Sequence, residues 1–192
     1  MAQELVFAAV AAHLPQQSAE QFDLRVGEGG SLGELRDQLA GVDVVEVRVM
    51  TIADRFRAAV ERRDLAALSD LFTDDIRLYS PVKFTPFEGR PMVLGLFGVL
   101  VRTFEDFRYV GQLDGTAQTS ADGTEAPSVI LVFRATVNGK QIHGMDLLQF
   151  DETGLIKEFT VMVRPASAVQ ALGEAVLTGL VADGLVPDPR PM

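Results

Sequence analysis

The chain has 192 residues, with 27 acids against 17 bases, a net charge of -10 and no cysteine. That length suits one domain, or one domain with an extension, and an apolar content of 47% is enough to build a core. The acidic balance argues against a nucleic-acid partner, the missing thiols exclude disulfides and thiolate metal sites, and no apolar run is long enough to span a membrane.

The first 49 residues read as an N-terminal extension to which the sequence assigns no role. An apolar helix is expected over Ala2–Leu14, then Phe22–Val26, a glycine cluster, a helix from Ser31 to Leu39, and a strand over Val42–Val49. The run Leu5–Ala12 lacks the basic start and longer apolar centre of a secretory signal, so the expected compartment is the cytoplasm. The glycines Gly27, Gly29 and Gly30 lack the lysine and spacing of a phosphate loop and read as a turn.

Residues 50–182 read as one α+β unit. Thr51 caps a helix through Arg63 that places Ile52, Phe56, Ala59 and Val60 on one face, and a second helix covers Leu65–Phe72. Ile76–Ser80 alternates as a short strand, and Phe87–Arg90 is a turn before an apolar helix from Met92 to Phe104, led by Pro91. Strands are expected over Phe107–Asp114, Ser128–Val137, Lys140–Phe150 and Leu155–Arg164. Asn138-Gly139 marks a tight hairpin between the second and third of these. Pro165 ends the last strand, a helix runs from Ser167 to Val181, and 183–192 is a flexible, proline-bearing tail. This order predicts a cone-shaped bent antiparallel sheet packed on three helices, with a C-terminal helix closing the unit.

Strand alternation sorts the side chains by face. Along Lys140–Phe150 the even positions Ile142, Gly144, Leu148 and Phe150 are apolar, and Asp146 stands among them. A carboxyl on such a face is desolvated, which favours its neutral form, and a neutral acid can donate a hydrogen bond to a ligand carbonyl or enolate. The plainer alternative is that Asp146 accepts bonds from nearby backbone or from an arginine. His143 falls on the opposite face among glutamines, and Arg134 falls opposite the apolar set Val129, Leu131, Phe133, Ala135 and Val137. Phe159, Val161 and Val163 make a continuous apolar face on the last strand, and Leu78 and Ser80 share a face on the first.

The run Asp146-Leu-Leu-Gln-Phe-Asp-Glu-Thr-Gly-Leu-Ile156, with Val161-Met-Val-Arg-Pro165 after it, resembles the nuclear transport factor 2-like superfamily, and in it the SnoaL-like branch, whose members include polyketide cyclases. The opening Phe56…Arg63-Asp64-Leu65…Leu71-Phe72-Thr-Asp-Asp75 and the Phe87-Glu-Gly-Arg90 turn are similar to the same superfamily, so the resemblance covers about residues 51–165. Against ketosteroid isomerase, Asp146 matches the oxyanion-hole aspartate, while Ser80 stands in place of the general base and Phe56 in place of the oxyanion tyrosine. The cyclase branch implies a single acidic residue in the cavity, a role that falls to Asp146. The epoxide-hydrolase branch would pair Asp146 with Arg134, which strand parity opposes.

These observations together predict a pocket for a small hydrophobic molecule and, if the chain is an enzyme, cofactor-free isomerisation or cyclisation with Asp146 as acid/base. The expected contacts are Phe56, Leu78, Phe159, Val161 and Val163 on the wall, with Tyr79, Ser80 and Lys83 at the mouth. The alternative is a non-catalytic ligand-binding or dimerisation module. No metal, cofactor, nucleic acid or membrane is expected as a partner. A homodimer is, because Met145, Leu147 and Met162 point outward from the sheet.

Overall fold

The computed structural model describes residues 51–188. The chain divides into two compact units, Met1–Val49 and Met50–Met192, and all described residues belong to the second. The elements expected before Val49 lie outside the described residues.

Thr51 opens α1 (Ile52–Glu61) with a full capping box: its hydroxyl accepts from the Asp54 amide while the Asp54 carboxylate accepts from the Thr51 amide. Such a cap stabilises a helix by about 1 kcal/mol. Asp64 caps α2 (Leu65–Ser69), its carboxylate accepting from the Ala67 amide. This helix stops three residues earlier than its apolar spacing suggests. Phe72, expected at its end, instead opens β1 (Phe72–Tyr79), where it is fully buried. Phe87 and Glu88, expected as a turn, form a two-residue strand, β2, paired with Leu78 and Arg77. Gly89 follows at φ 84, and Pro91 lies in the first turn of α3 (Arg90–Thr103), where a missing N–H costs nothing.

The remaining chain forms β3 (Glu105–Gln118), β4 (Glu125–Val137), β5 (Lys140–Phe150), β6 (Ile156–Arg164) and α4 (Ala166–Ala182). β3 and β4 are longer than expected because they continue to pair past Asp114 and Ser128 as far as Gln118 and Glu125. Asn138 and Gly139 both take positive φ, 47° and 71°, the geometry of a tight hairpin.

The six strands make one curled sheet in the order β2-β1-β6-β5-β4-β3. Its pairs are antiparallel except one: β1 runs parallel to β6, with Leu78 opposite Phe159. The sheet is therefore mixed rather than antiparallel throughout. β1 reaches β6 through the long chain excursion between them, which alternation within a strand does not report. The inner face carries Leu131, Phe133, Ile142, Leu148 and Phe159, packed with Phe56, Val93, Leu96 and Phe97 from the helices.

Two features at the rim depart from simple alternation. Gln149 lies on the outward parity yet is 1% exposed, because the β3–β4 hairpin curls back over it. Its Nε2 donates to the Ala117 carbonyl, and the Glu158 carboxylate beside it accepts from the Ser120 and Ala121 amides. The segment after α4, expected as a flexible tail, packs instead: Leu185 lies over Gly95 of α3, and Asp183 pairs with Arg102. Of this segment, 189–192 lie outside the described residues. No helix among the described residues is long and apolar enough to cross a membrane.

Candidate functional site

Between the inner sheet face and helices α3 and α4 lies a cavity of about 730 Å³. Its wall is largely apolar, with Leu78, Leu96, Phe97, Phe133, Phe159 and Val161 prominent. The buried polar groups on it are few, and they are specific.

Asp146 is the central one. Its strand partners are Leu131 on β4 and Val161 on β6, both apolar, so its side chain leaves the sheet through a greasy surface and is 5% exposed. The Tyr109 hydroxyl donates to Asp146 Oδ2 at 2.9 Å. Burial pushes the Asp146 carboxyl up to about 7, partly offset by this bond, which favours the charged form. The Tyr109 hydroxyl is itself raised well above its usual range, by burial first and then by the neighbouring Asp146 charge. The pair is thus a phenol bonded to a carboxyl whose neutral form burial favours.

Local sequence explains how Tyr109 gets there. Tyr109 is opposite Phe133 across β3–β4, and Phe133 is opposite Gly144 across β4–β5. Gly144 has no Cβ, and one placed there would stand 2.1 Å from Phe133 Cζ. The Phe133 ring therefore lies down over Gly144, and Tyr109 meets it edge-on with ring centroids 6.5 Å apart. From that position the Tyr109 side chain spans toward β5 and reaches the carboxyl two residues beyond Gly144. The Arg57 guanidinium lies 5.8 Å from the Tyr109 ring centroid. Alternation offered a signal for Tyr109: it shares a face with Phe107, and the chain has only two tyrosines.

The other expected site residues divide. Leu78, Ser80, Lys83, Phe159 and Val161 line the cavity. Phe56 does not: it is a fully buried core side chain packed against the Phe159 and Phe97 rings. Val163 is packed against the core without reaching the cavity. Tyr79 leaves β1 on the parity opposite Leu78 and is not on the wall, and Glu158 is among the charges acting on it. His143 and Arg134 are strand partners on the outer face, where Arg134 is exposed and away from Asp146.

Ser80 has a distinct environment. It lines the cavity, while its Oγ is buried and makes no hydrogen bond among the described residues. Tyr79 pairs with Thr160, so Ser80 stands level with Val161, the β6 partner of Asp146. Ser80 and Asp146 thus occupy one cross-strand row, two strand spacings or roughly 10 Å apart. Exposed Glu61, Arg63 and Lys83 form the cavity's rim, with the Lys83 ammonium 3.8 Å from the Phe87 ring centroid. Among the described residues no three His, Asp or Glu side chains gather as a metal site would require.

The family described as SnoaL-like domain matches residues 53–159, more than half of the chain. Among solved structures, a steroid delta-isomerase from Pseudomonas aeruginosa is similar at 36% identity and a TM-score of 0.60, over 70% of this chain and 93% of that one. An uncharacterized protein with a cystatin-like fold from Silicibacter pomeroyi is similar at 26% identity and a TM-score of 0.62, over 71% of this chain and 90% of that one. No curated protein matches the chain.

Proposed function

The chain belongs to the SnoaL-like domain family, and from that premise we propose that its cavity binds a small, largely hydrophobic molecule and moves a proton on it without a cofactor. The reaction class is isomerisation or cyclisation at a carbon next to a carbonyl. The observation that carries this is the Tyr109–Asp146 hydrogen bond at the wall of an apolar cavity, with the carboxyl pushed up to about 7.

A base works best when its pKa lies near the working pH, and burial has brought Asp146 there. Tyr109 occupies Oδ2, so Oδ1 is the oxygen that takes a proton from the ligand carbon. That carbon's electron pair moves into the carbonyl to give an enolate. The protonated Asp146 then returns the proton to a different carbon, or to the same one. The apolar wall keeps water from competing for it. The likeness to a steroid delta-isomerase fits this class of chemistry. The second reading, a binding module without turnover, is favoured by one observation: Ser80 stands where an additional base would serve, and a serine hydroxyl is not a base near neutral pH.

Deuterium exchange separates the two. β-Tetralone, a flat apolar ketone with acidic carbon-bound hydrogens, is incubated with the full chain in D2O and followed by proton NMR. Exchange at the carbons beside the carbonyl, faster than buffer alone and lost in Asp146→Asn, supports proton transfer. Binding without exchange supports the module. Neither binding nor exchange, with a set of flat ketones of increasing size, removes the cavity as a ligand site.

A further inference from the structure

The Tyr109 ring is held by apolar packing that needs no charge. Phe107 meets it edge-on with centroids 4.9 Å apart, and Phe133 and Phe56 each lie at 6.5 Å. These three rings come from β3, β4 and α1. A fourth group at the ring is the Arg57 guanidinium, 5.8 Å from the centroid. That is inside the ~6 Å over which a cation is attracted to an aromatic face.

Arg57 is an odd occupant of this position. It follows the fully buried Phe56 on α1 and is itself half-buried. Among the described residues it makes no hydrogen bond and no ion pair. Glu61 stands one helical turn further on, but an arginine four residues before a glutamate is the less favourable order for pairing, and the two do not pair. Taking a guanidinium partly out of water without a partner costs free energy, and an aliphatic side chain would cover the ring without that cost.

The arrangement links three groups in series. Arg57 stands over the ring, the hydroxyl of that ring donates to Asp146 Oδ2 at 2.9 Å, and Oδ1 is left for the ligand. A cation over the face draws electron density from the ring, which makes the hydroxyl a stronger donor. A stronger donor favours the ionised carboxylate. The charged side chains that act on the Tyr109 hydroxyl are Asp146 from β5 and Glu61 and Arg57 from α1. The first two hold its proton on, and Arg57 loosens it. The other charged side chains of the cavity, Arg63, Lys83 and Asp106, are exposed.

We propose that Arg57 is a positioning residue of this site: through the Tyr109 ring it strengthens the hydroxyl that holds Asp146 ionised, and so keeps a base available inside an apolar cavity. Its part in turnover rests on Asp146 being the base of the proposed reaction. Its influence on the Asp146 charge does not.

The test is the carbon-13 titration of the Asp146 carboxyl in the full chain, compared with Arg57→Gln, Arg57→Lys and Glu61→Gln. Arg57→Gln is expected to move the titration to higher pH by about 0.3–0.7 of a unit, the size that a partly exposed cation–ring contact supports. Glu61→Gln removes the opposing charge and is expected to move it lower. Arg57→Lys keeps the charge and is expected to stay near wild type. In a Tyr109→Phe background the Arg57→Gln shift is expected to shrink, because the hydroxyl that carries it is gone. The pH profile of β-tetralone exchange is expected to follow the same order. A titration unmoved by Arg57→Gln, or moved as far by Arg57→Lys, overturns the proposal. So does an Arg57→Gln shift of full size without the Tyr109 hydroxyl. Titrations that move as expected while no variant, and not the wild type, exchanges deuterium support the Arg57 assignment and overturn the acid–base reading instead.

Discussion

Replacing Asp146 by Asn should stabilise the protein at alkaline pH and leave it nearly unchanged in mild acid. The carboxyl is buried and its folded-state pKa is about 7, against 3.8 when free. Below the free value both folded and unfolded chains hold the proton, and the group costs nothing electrostatically. As pH rises toward 7 the unfolded chain releases the proton and the folded chain keeps it, so stability falls. The gap of about 3 units at ~1.4 kcal/mol each amounts to about 4 kcal/mol, all of it lost by a pH somewhat above 7. Asn has the same shape, can accept the Tyr109 hydrogen bond, and does not titrate. The difference in unfolding free energy, wild type minus Asp146→Asn, should therefore drop by about 4 kcal/mol between pH 4 and pH 8, with a slope near 1.4 kcal/mol per unit in between. Urea titrations at half-unit pH steps, with equal slopes m for both proteins, measure it. A difference that is flat across this range would mean an ordinary carboxyl, and the proposed base would lose its physical foundation.

Tyr109→Phe removes the hydrogen bond that favours the Asp146 charge, so the carboxyl should titrate still higher than about 7. Carbon-13 NMR of the Asp146 carboxyl reads that shift, and the pH profile of deuterium exchange should move the same way. Gly144→Ala would bring a methyl to 2.1 Å from Phe133 Cζ and force that ring off the sheet into the cavity. The expected cost is about 1–3 kcal/mol in urea unfolding, with weakened binding of flat probes such as β-naphthol. Ser80→Ala deletes a buried hydroxyl that no group among the described residues satisfies, so stability should hold or rise by up to about 1 kcal/mol. Its affinity for a dihydroxynaphthalene long enough to reach from Asp146 should fall, while that for β-naphthol should not. Equal affinities would place the ligand away from this row.

Much of the site was legible from strand alternation alone. Ile142, Gly144 and Leu148 were sufficient to place Asp146 inward, and the structure buries it at 5% exposure. The Asn138-Gly139 hairpin fixed the register that sets Asp146 opposite Leu131. The same count puts His143 and Arg134 on the outer face, where they are strand partners. Alternation failed where the chain gains a residue or is covered from outside. A shift in β3 between Tyr109 and Gly111 turns Leu113 outward, and the curled β3–β4 hairpin buries Gln149.

Residue order alone settles which side chains share a face, because side-chain direction along a strand repeats every two residues whatever the strand is packed against. It likewise determined the caps and the tight hairpin, which depend on atoms a few bonds apart. Long-range packing brings Tyr109 to Asp146, 37 residues away in the chain. It also decided that β1 lies parallel beside β6 and so brings Ser80 into the carboxyl's row, and that Leu185 closes over Gly95 rather than trailing into solvent. Those contacts arise from which strands pair and how the sheet curls, and each depends on many distant residues packing at once.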